Sequence, residues 1–389
     1  SLRPVRGALP AAMRARDAGR TLVLPAGNAT EVSLLSEGRF LCAGDLREVT
    51  AWMAGRHELP EATAGDDVPT RPLPDLEDVR GQHRARRALE VAAAGGHNLL
   101  FSGPPGTGKT MLAARLPGIL PPMSEDEALE SAAIRSVSHR GFARDAWRRR
   151  PFRAPHHTAS AAALVGGGPV PKPGEISLAH HGVLFLDELP EFHRHVLEVL
   201  REPLESGRIL ISRAARQEEF PASFQLVCAM NPCPCGRGGE GSGECRCSAD
   251  QIQRYRDRVS GPLLDRIDLQ VVVPRPEPEV LRPDANPGEA SRLVRDRVTA
   301  ARDLQQDRNG CLNSRIEARA IARHCRLPES LWNCLDRAAR RYRLGPRACH
   351  RILKVARTIA DLGACETIAM PHLAEAIDLR AGRGQADAV

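Results

Sequence analysis

Short, uninterrupted apolar runs mark the middle of the chain: Leu99-Leu100-Phe101 after Asn98, Val183-Leu184-Phe185-Leu186, and Leu226-Val227-Cys228-Ala229-Met230 after Gln225. A run apolar at successive positions, without alternation, fits a strand covered on both faces. A helical segment, Met111-Leu112-Ala113-Ala114-Arg115-Leu116, follows the first of them. From Leu76 to about Pro274 the two patterns alternate, which predicts a parallel, doubly wound α/β sheet. Beyond about Ala290 the pattern is helical, with Arg/Leu/Ala-rich stretches at 347–362 and 370–380. The first 56 residues carry shorter apolar runs, Thr21–Pro25 and Phe40–Ala43, and a helix-like Leu46–Ala54. Proline, glycine and acidic residues crowd 57–76, and prolines recur over 276–290, so both read as linkers. The expected order is an amino-terminal segment (1–56), a linker (57–76), an α/β core (77–275), a second linker (276–290) and a helical domain (291–389). The chain opens at Ser1 without a methionine, and 1–56 reads as the end of a larger domain.

Composition narrows the picture. No apolar run approaches the roughly 20 residues of a membrane span, and nothing resembles a signal peptide, so a soluble, cytoplasmic protein is expected. The net charge of +7 is carried almost wholly by arginine, since lysine occurs only at Lys109, Lys172 and Lys354. That balance points weakly to a polyanionic partner. With 3% aromatic residues, base stacking would not dominate a nucleic-acid contact. Of eleven cysteines, Cys42, Cys228, Cys311, Cys325, Cys334, Cys349 and Cys365 are scattered and read as small apolar packers.

The strongest chemical signal is Gly103-Pro104-Pro105-Gly106-Thr107-Gly108-Lys109-Thr110, a full G-x-x-x-x-G-K-[ST] between a predicted strand and helix. Glycines let backbone N–H groups crowd phosphate oxygens, and the helix N-terminus favours negative charge. Lys109 reaches the β/γ-phosphates, and the Thr110 hydroxyl can ligate Mg²⁺. The pattern implies nucleoside triphosphate binding. The strand Val183–Leu186 ends in Asp187-Glu188, which suits a second Mg²⁺ contact and a carboxylate that polarises the attacking water. Another apolar strand ends in Asn231, able to orient that water or simply to form a turn before Pro232.

Further stretches carry a resemblance: Val79-Arg80-Gly81-Gln82, AAAGGHNLL over 92–100, RPFRAPHHTAS over 150–160, PGEISLAHHGVLFLDE over 173–188, NPCPCG over 231–236, SGPLLDRIDL over 260–269 and RILKVARTIADL over 351–362. As a set spanning 76–380, they resemble the magnesium-chelatase-like branch of AAA+ ATPases, and within it the ComM (YifB) family. The resemblance implies an AAA+ parallel-sheet core with a helical lid, and a Lon-like amino-terminal α+β remnant. It implies Val79, Gly81 and Gln82 beside the adenine, Asn231 as first sensor, Arg266 as an arginine finger reaching a neighbouring subunit, and Arg347 as second sensor. The plainer alternatives are an ion pair of Arg266 with Asp265 or Asp268, and a solvated helix-start arginine at 347.

The span from Lys109 to Asp187 is far longer than a crossover helix needs. Its excess, including Ala154–Thr158 and the glycine-rich 166–174, resembles the hairpin insert that this branch projects into a hexamer's pore. Gly207–Arg213 and Gln217–Ala222 suggest a second hairpin. Lys172, Arg213 and Arg216 are then candidate contacts to a DNA backbone, with solvated loop charge as the alternative. The pairs His156-His157 and His180-His181 read as hydrogen-bonded structural histidines ahead of a metal site. Cys233, Cys235, Cys245 and Cys247 form two close pairs across a glycine-rich loop and can wrap one structural Zn²⁺; a disulfide or redox pair and free thiols are the alternatives.

The family resemblance implies a homo-hexameric ATPase that moves single-stranded or branched DNA, with ATP, Mg²⁺ and structural Zn²⁺ as cofactors and no membrane partner. A metal-chelatase motor subunit, a protein-remodelling or Lon-like ATPase and a nucleotide-binding scaffold remain as rivals. A Ser–Lys protease dyad is excluded within 1–108, where no lysine occurs.

Overall fold

The computed structural model describes residues 1–63, 72–139, 141–168, 171–213, 216–238, 245–282 and 287–381. The chain begins with the helix Ala8–Asp17 and two strands, β1 (Leu22–Pro25) and β2 (Phe40–Ala43), which pair in parallel. It continues through β3 (Leu99–Ser102), β4 (Phe152–Arg153), the short hairpin β5 (Gly166–Gly167) and β6 (Lys172–Pro173), and β7 (Val183–Leu186). A longer hairpin, β8 (Arg208–Arg213) and β9 (Arg216–Pro221), precedes β10 (Gln225–Met230) and β11 (Leu269–Val272). The central sheet has five strands in the order β11-β3-β10-β7-β4, all parallel.

The apolar runs explain why this sheet is central. Leu99, Phe101, Val183, Phe185, Val227 and Ala229 point into one core. Their neighbours Leu100, Leu184, Leu186, Leu226 and Cys228 point into a second core on the other face. Each strand is therefore covered twice, and each fully buried Leu or Phe contributes roughly 1.5–3 kcal/mol.

Residues 291–381 are largely helical, as the pattern predicts, but they do not form a core of their own. Val294 and Val298 of helix Ser291–Asn309, Ile352 and Val355 of Pro346–Leu362, and Leu373 of Met370–Ala381 complete the first core. The amino-terminal unit packs Leu9, Ala12 and Phe40 against Leu129 and Ala132 of helix Glu125–Val137.

The described start of the first expected linker differs from its reading, while its residues 64–71 lie outside the described residues. Leu59 is buried, Cys42 N–H donates to Pro60 O at 2.8 Å and Ala62 N–H to Phe40 O at 2.8 Å, so this stretch runs as an antiparallel edge beside β2. Its partner is 20 or so positions earlier, too far for local composition to reveal. The end of the first linker latches onto the start of helix Ser291–Asn309: Leu76 N–H donates to Ser291 Oγ at 2.7 Å, and Ser291 N–H to Asp75 Oδ1 at 2.8 Å. No helix among the described residues is long and apolar enough to cross a membrane.

Candidate active site

Residues 103–110 link β3 to helix Lys109–Ile119, at the carboxyl edge of the sheet. Backbone geometry demands glycine here: a Cβ on Gly103 would lie 2.2 Å from Val273 O, and Gly106 and Gly108 hold φ of +79° and +87°. Thr107 Oγ1 donates to Pro104 O at 3.0 Å and braces the loop. The Lys109 ammonium is buried and donates to Gly103 O (2.6 Å), Pro104 O (2.7 Å) and Asn231 Oδ1 (3.2 Å). Burial pushes its pKa below the usual lysine range, against the pull of Asp187 and Glu188.

Thr110 Oγ1 donates to Asp187 Oδ2 at 2.6 Å. A hydroxyl and a carboxylate this close are the hard oxygen donors that suit Mg²⁺. Glu188 follows β7 with φ +53°, a left-handed conformation uncommon outside glycine, and its N–H donates to Asp187 Oδ1 at 2.9 Å. His157 Nδ1 lies 3.0 Å from Glu188 Oε2. Gly81 and Gln82 form a left-handed turn, and Gln82 Nε2 donates to Pro274 O at 2.7 Å and, at 3.4 Å, to Thr107 O, joining that turn to the loop; the Val79 side chain lies in the core. The structure thus brings Lys109, Thr110, Asp187, Glu188 and Asn231 to one edge.

Arg266 and Arg347 lie elsewhere. Both donate to the same oxygen, Glu205 Oε1, each at 2.6 Å, and Arg266 also donates to Pro262 O at 2.7 Å. The plainer alternative for Arg266, an ion pair with Asp265 or Asp268, is not the pair formed: its carboxylate partner is Glu205. Asp268 is instead buried with Arg351, with Asn98 N–H at 2.9 Å and with His97 Nδ1 at 3.7 Å. Burial works against its ionisation, but Arg351 and His97 hold its carboxyl well below the usual range. Arg266 and Asp268 precede β11, so this group sits at the amino edge, a strand length from residues 103–110. Glu205 was missed from sequence, where nothing separates it from nearby glutamates.

The cysteine sulfurs of 233, 235, 245 and 247 all lie within 4.8 Å of one another, with Cys233–Cys235 at 3.3 Å and Cys245 at 3.7 Å from each of those two. Zn–S bonds of about 2.3 Å in a tetrahedron set sulfurs about 3.8 Å apart, so the thiols fit Zn²⁺. Gly238 N–H donates to Cys233 Sγ at 3.2 Å. No disulfide forms among the described cysteines. Each histidine pair is engaged by glutamate: His180 and His181 Nε2 lie 3.0 and 2.7 Å from Glu130 Oε2, while His180 Nδ1 accepts from Ser223 N–H at 3.0 Å. Lys172 stands on β6 opposite Gly167, and a Cβ on Gly166 would come within 2.9 Å of Ile211 Cδ1, so the two hairpins pack together. The side chains of Arg213 and Arg216 lie outside the described residues.

A glycine-cradled phosphate loop, an Asp-Glu strand end and a doubly covered parallel sheet define a P-loop ATPase with C-terminal helices packed on its core. The model of the family "Magnesium chelatase, subunit ChlI" matches residues 75–281, and that of its C-terminal domain matches 288–380. The chain is 49% identical over 381 residues to YifB of Salmonella typhimurium, covering 98% of this chain and 75% of that protein. It is 49% identical over 385 residues to competence protein ComM of Haemophilus influenzae and 48% over 383 to YifB of Escherichia coli, with the same two coverages. The chain belongs to the ComM (YifB) family of magnesium-chelatase-like AAA+ ATPases. That family implies ATPase activity and the use of ATP and Mg²⁺.

Proposed function

We propose that the protein is an ATP-driven DNA motor that works as a homo-hexamer and promotes branch migration during homologous recombination and natural transformation. One observation carries the reading: Arg266 and Arg347 share Glu205 at the amino edge, while Lys109, Thr110, Asp187, Glu188 and Asn231 gather at the carboxyl edge. Arginines that complete hydrolysis yet stand a strand length from their own phosphate loop need a second copy to act upon. Closed rings satisfy that head-to-tail arrangement.

In this reading the Gly81-Gln82 turn frames the base, with the Val79 side chain packed in the core behind it, and the loop from Gly103 through Pro104, Pro105, Gly106, Thr107 and Gly108 cradles the phosphates. Lys109 neutralises phosphate charge, Thr110 and Asp187 would hold Mg²⁺, Glu188 accepts the water's proton and Asn231 orients that water. Mg²⁺ when bound screens the phosphate oxygens. Arg266 enters a neighbour's site, where an arginine supplied in trans is typically worth about 10³–10⁵ in rate, and Arg347 senses the same nucleotide. Zn²⁺ held by Cys233, Cys235, Cys245 and Cys247 would brace the loop after Asn231, leaving no open position for catalysis. Lys172, Arg213 and Arg216 on the paired hairpins grip single-stranded or branched DNA by its phosphates. The competence name of the Haemophilus relative supports DNA as the substrate.

The test is the ATPase rate with no DNA, duplex, forked DNA and a four-way junction, together with junction movement. The reading expects stimulation by forks and junctions and ATP-dependent junction movement. Assembled protein that neither binds forked DNA nor moves a junction overturns it, and a chelatase-like or protein-remodelling motor then takes its place.

A further inference from the structure

A cavity of about 700 Å³ opens at the amino edge of the sheet, beneath the C-terminal helices. Asn98, Gly182, Gln225 and Asp268 line it, each at or just before the start of its strand. It is therefore separated from the phosphate loop by the strands themselves, about 13 Å for four residues.

The charges on its wall do not balance. Each lining carboxylate already has its own arginine: Glu127 with Arg150 at 3.0 Å, Glu205 with Arg347 at 2.6 Å, and Asp268 with Arg351. Three lining cations remain, and their hydrogen bonds go to neutral groups. Arg302 donates twice to Ala93 O, at 2.9 and 2.7 Å. Lys354 Nζ donates to Ser314 O at 3.1 Å, and Arg315 donates to Ser223 Oγ. Burial pushes the Arg302 guanidinium down, and repulsion from Arg150 and Arg315 adds to it. Lys354, one of only three lysines in the chain, is likewise pushed down by burial, more than Asp268 restores. Uncompensated cations on one wall raise the free energy of the empty cavity and lower it when an anion enters.

We propose that this cavity binds a small phosphate-bearing anion, gripped by Arg302, Arg315 and Lys354. Three cations call for a ligand of more than one charge, and a phosphate group carries about −1.5 to −2 near neutral pH. Guanidinium forks match its oxygens in pairs, while the lysine supplies a point charge. The volume suits a single small ligand, within the roughly 300–1,000 Å³ of small-molecule pockets. The three cations converge on one cavity and form no extended stripe, which favours a discrete anion over a nucleic-acid backbone. The cavity shares Glu205 and Arg347 with the amino-edge group, but Arg302, Arg315 and Lys354 have no part in the DNA-motor reading.

Isothermal titration of the full chain carrying Lys109→Ala, which silences the phosphate loop, tests it with inorganic phosphate and with AMP. One equivalent per chain is expected to bind. Adding Lys354→Gln or Arg315→Gln should weaken binding by about tenfold or more, the loss usual for a hydrogen bond to a charged group. Lys354→Arg should keep it within a few-fold, and circular dichroism checks that each variant folds. AMP binding tighter than phosphate would assign a phosphate ester; equal affinity would assign the free ion. The proposal is overturned if neither probe binds at millimolar concentration, or if only oligonucleotides do. It also falls if Lys354→Gln blocks assembly while phosphate binds as before, which would give the three cations to a subunit contact.

Discussion

At the carboxyl edge of the sheet, the phosphate loop is eight consecutive residues; its partner Asn231 follows the adjacent strand β10, and Asp187 follows β7, the strand beyond. At the amino edge, Arg266, Arg347 and Glu205 come from three distant segments, with Arg347 and Glu205 separated by 142 positions. The carboxyl group closes on itself: Lys109 touches Asn231, and Thr110 touches Asp187. The amino group holds two arginines on one carboxylate that is itself partly exposed. In the proposed reading the first edge binds nucleotide within the chain, and the arginines of the second act on a neighbouring chain's nucleotide.

Lys109→Ala strikes the first edge alone, and ATP turnover should fall to background with nucleotide binding weakened alongside. Glu188→Gln should separate the two functions, keeping ATP affinity while losing hydrolysis; near-normal turnover would remove Glu188 from its role as base. Glu205→Gln strikes the second edge. Turnover should drop by up to about 10²-fold, the cost of mispositioning a catalytic group, with ATP affinity unchanged. A matching loss of ATP affinity would erase the distinction between the edges.

A quieter effect comes from His180, which belongs to neither group. Burial first, then His181, pushes its pKa from 6.5 down to about 4. The unfolded chain therefore takes up a proton that the folded protein refuses. Its stabilisation is full above pH 6.5 and is lost as pH falls toward 4, about 3 kcal/mol for this one group. Urea midpoints across that window should decline, and His180→Asn should flatten the decline. The cysteine loop adds a metal readout: about one equivalent of zinc per chain, lost in Cys233→Ser, with none in the unsubstituted protein contradicting the site.

What could be read from sequence divides along the same line. The phosphate loop, Asp187-Glu188 and the doubly buried strands were visible because each is a contiguous pattern with a local physical cause. The partner of Arg266 is not legible there, since Glu205 meets it only through tertiary packing. Arg/Leu/Ala-rich stretches beyond about Ala290 announce helices without saying what they cover, and they cover the α/β core. The left-handed Glu188 and its contact with His157 likewise needed coordinates, although both residues stood inside recognised stretches.

The central claim is that one chain's amino edge completes another chain's carboxyl edge. Arg266→Ala and Lys109→Ala proteins, each inactive alone, should be mixed at varied ratios and assayed for ATP turnover, with mixed assemblies verified. Arg266→Ala subunits keep an intact phosphate loop, and Lys109→Ala subunits keep an intact arginine, so mixing should restore part of the activity. No recovery at any ratio, with mixed assemblies present, would contradict the account and leave Arg266 a structural partner of Glu205.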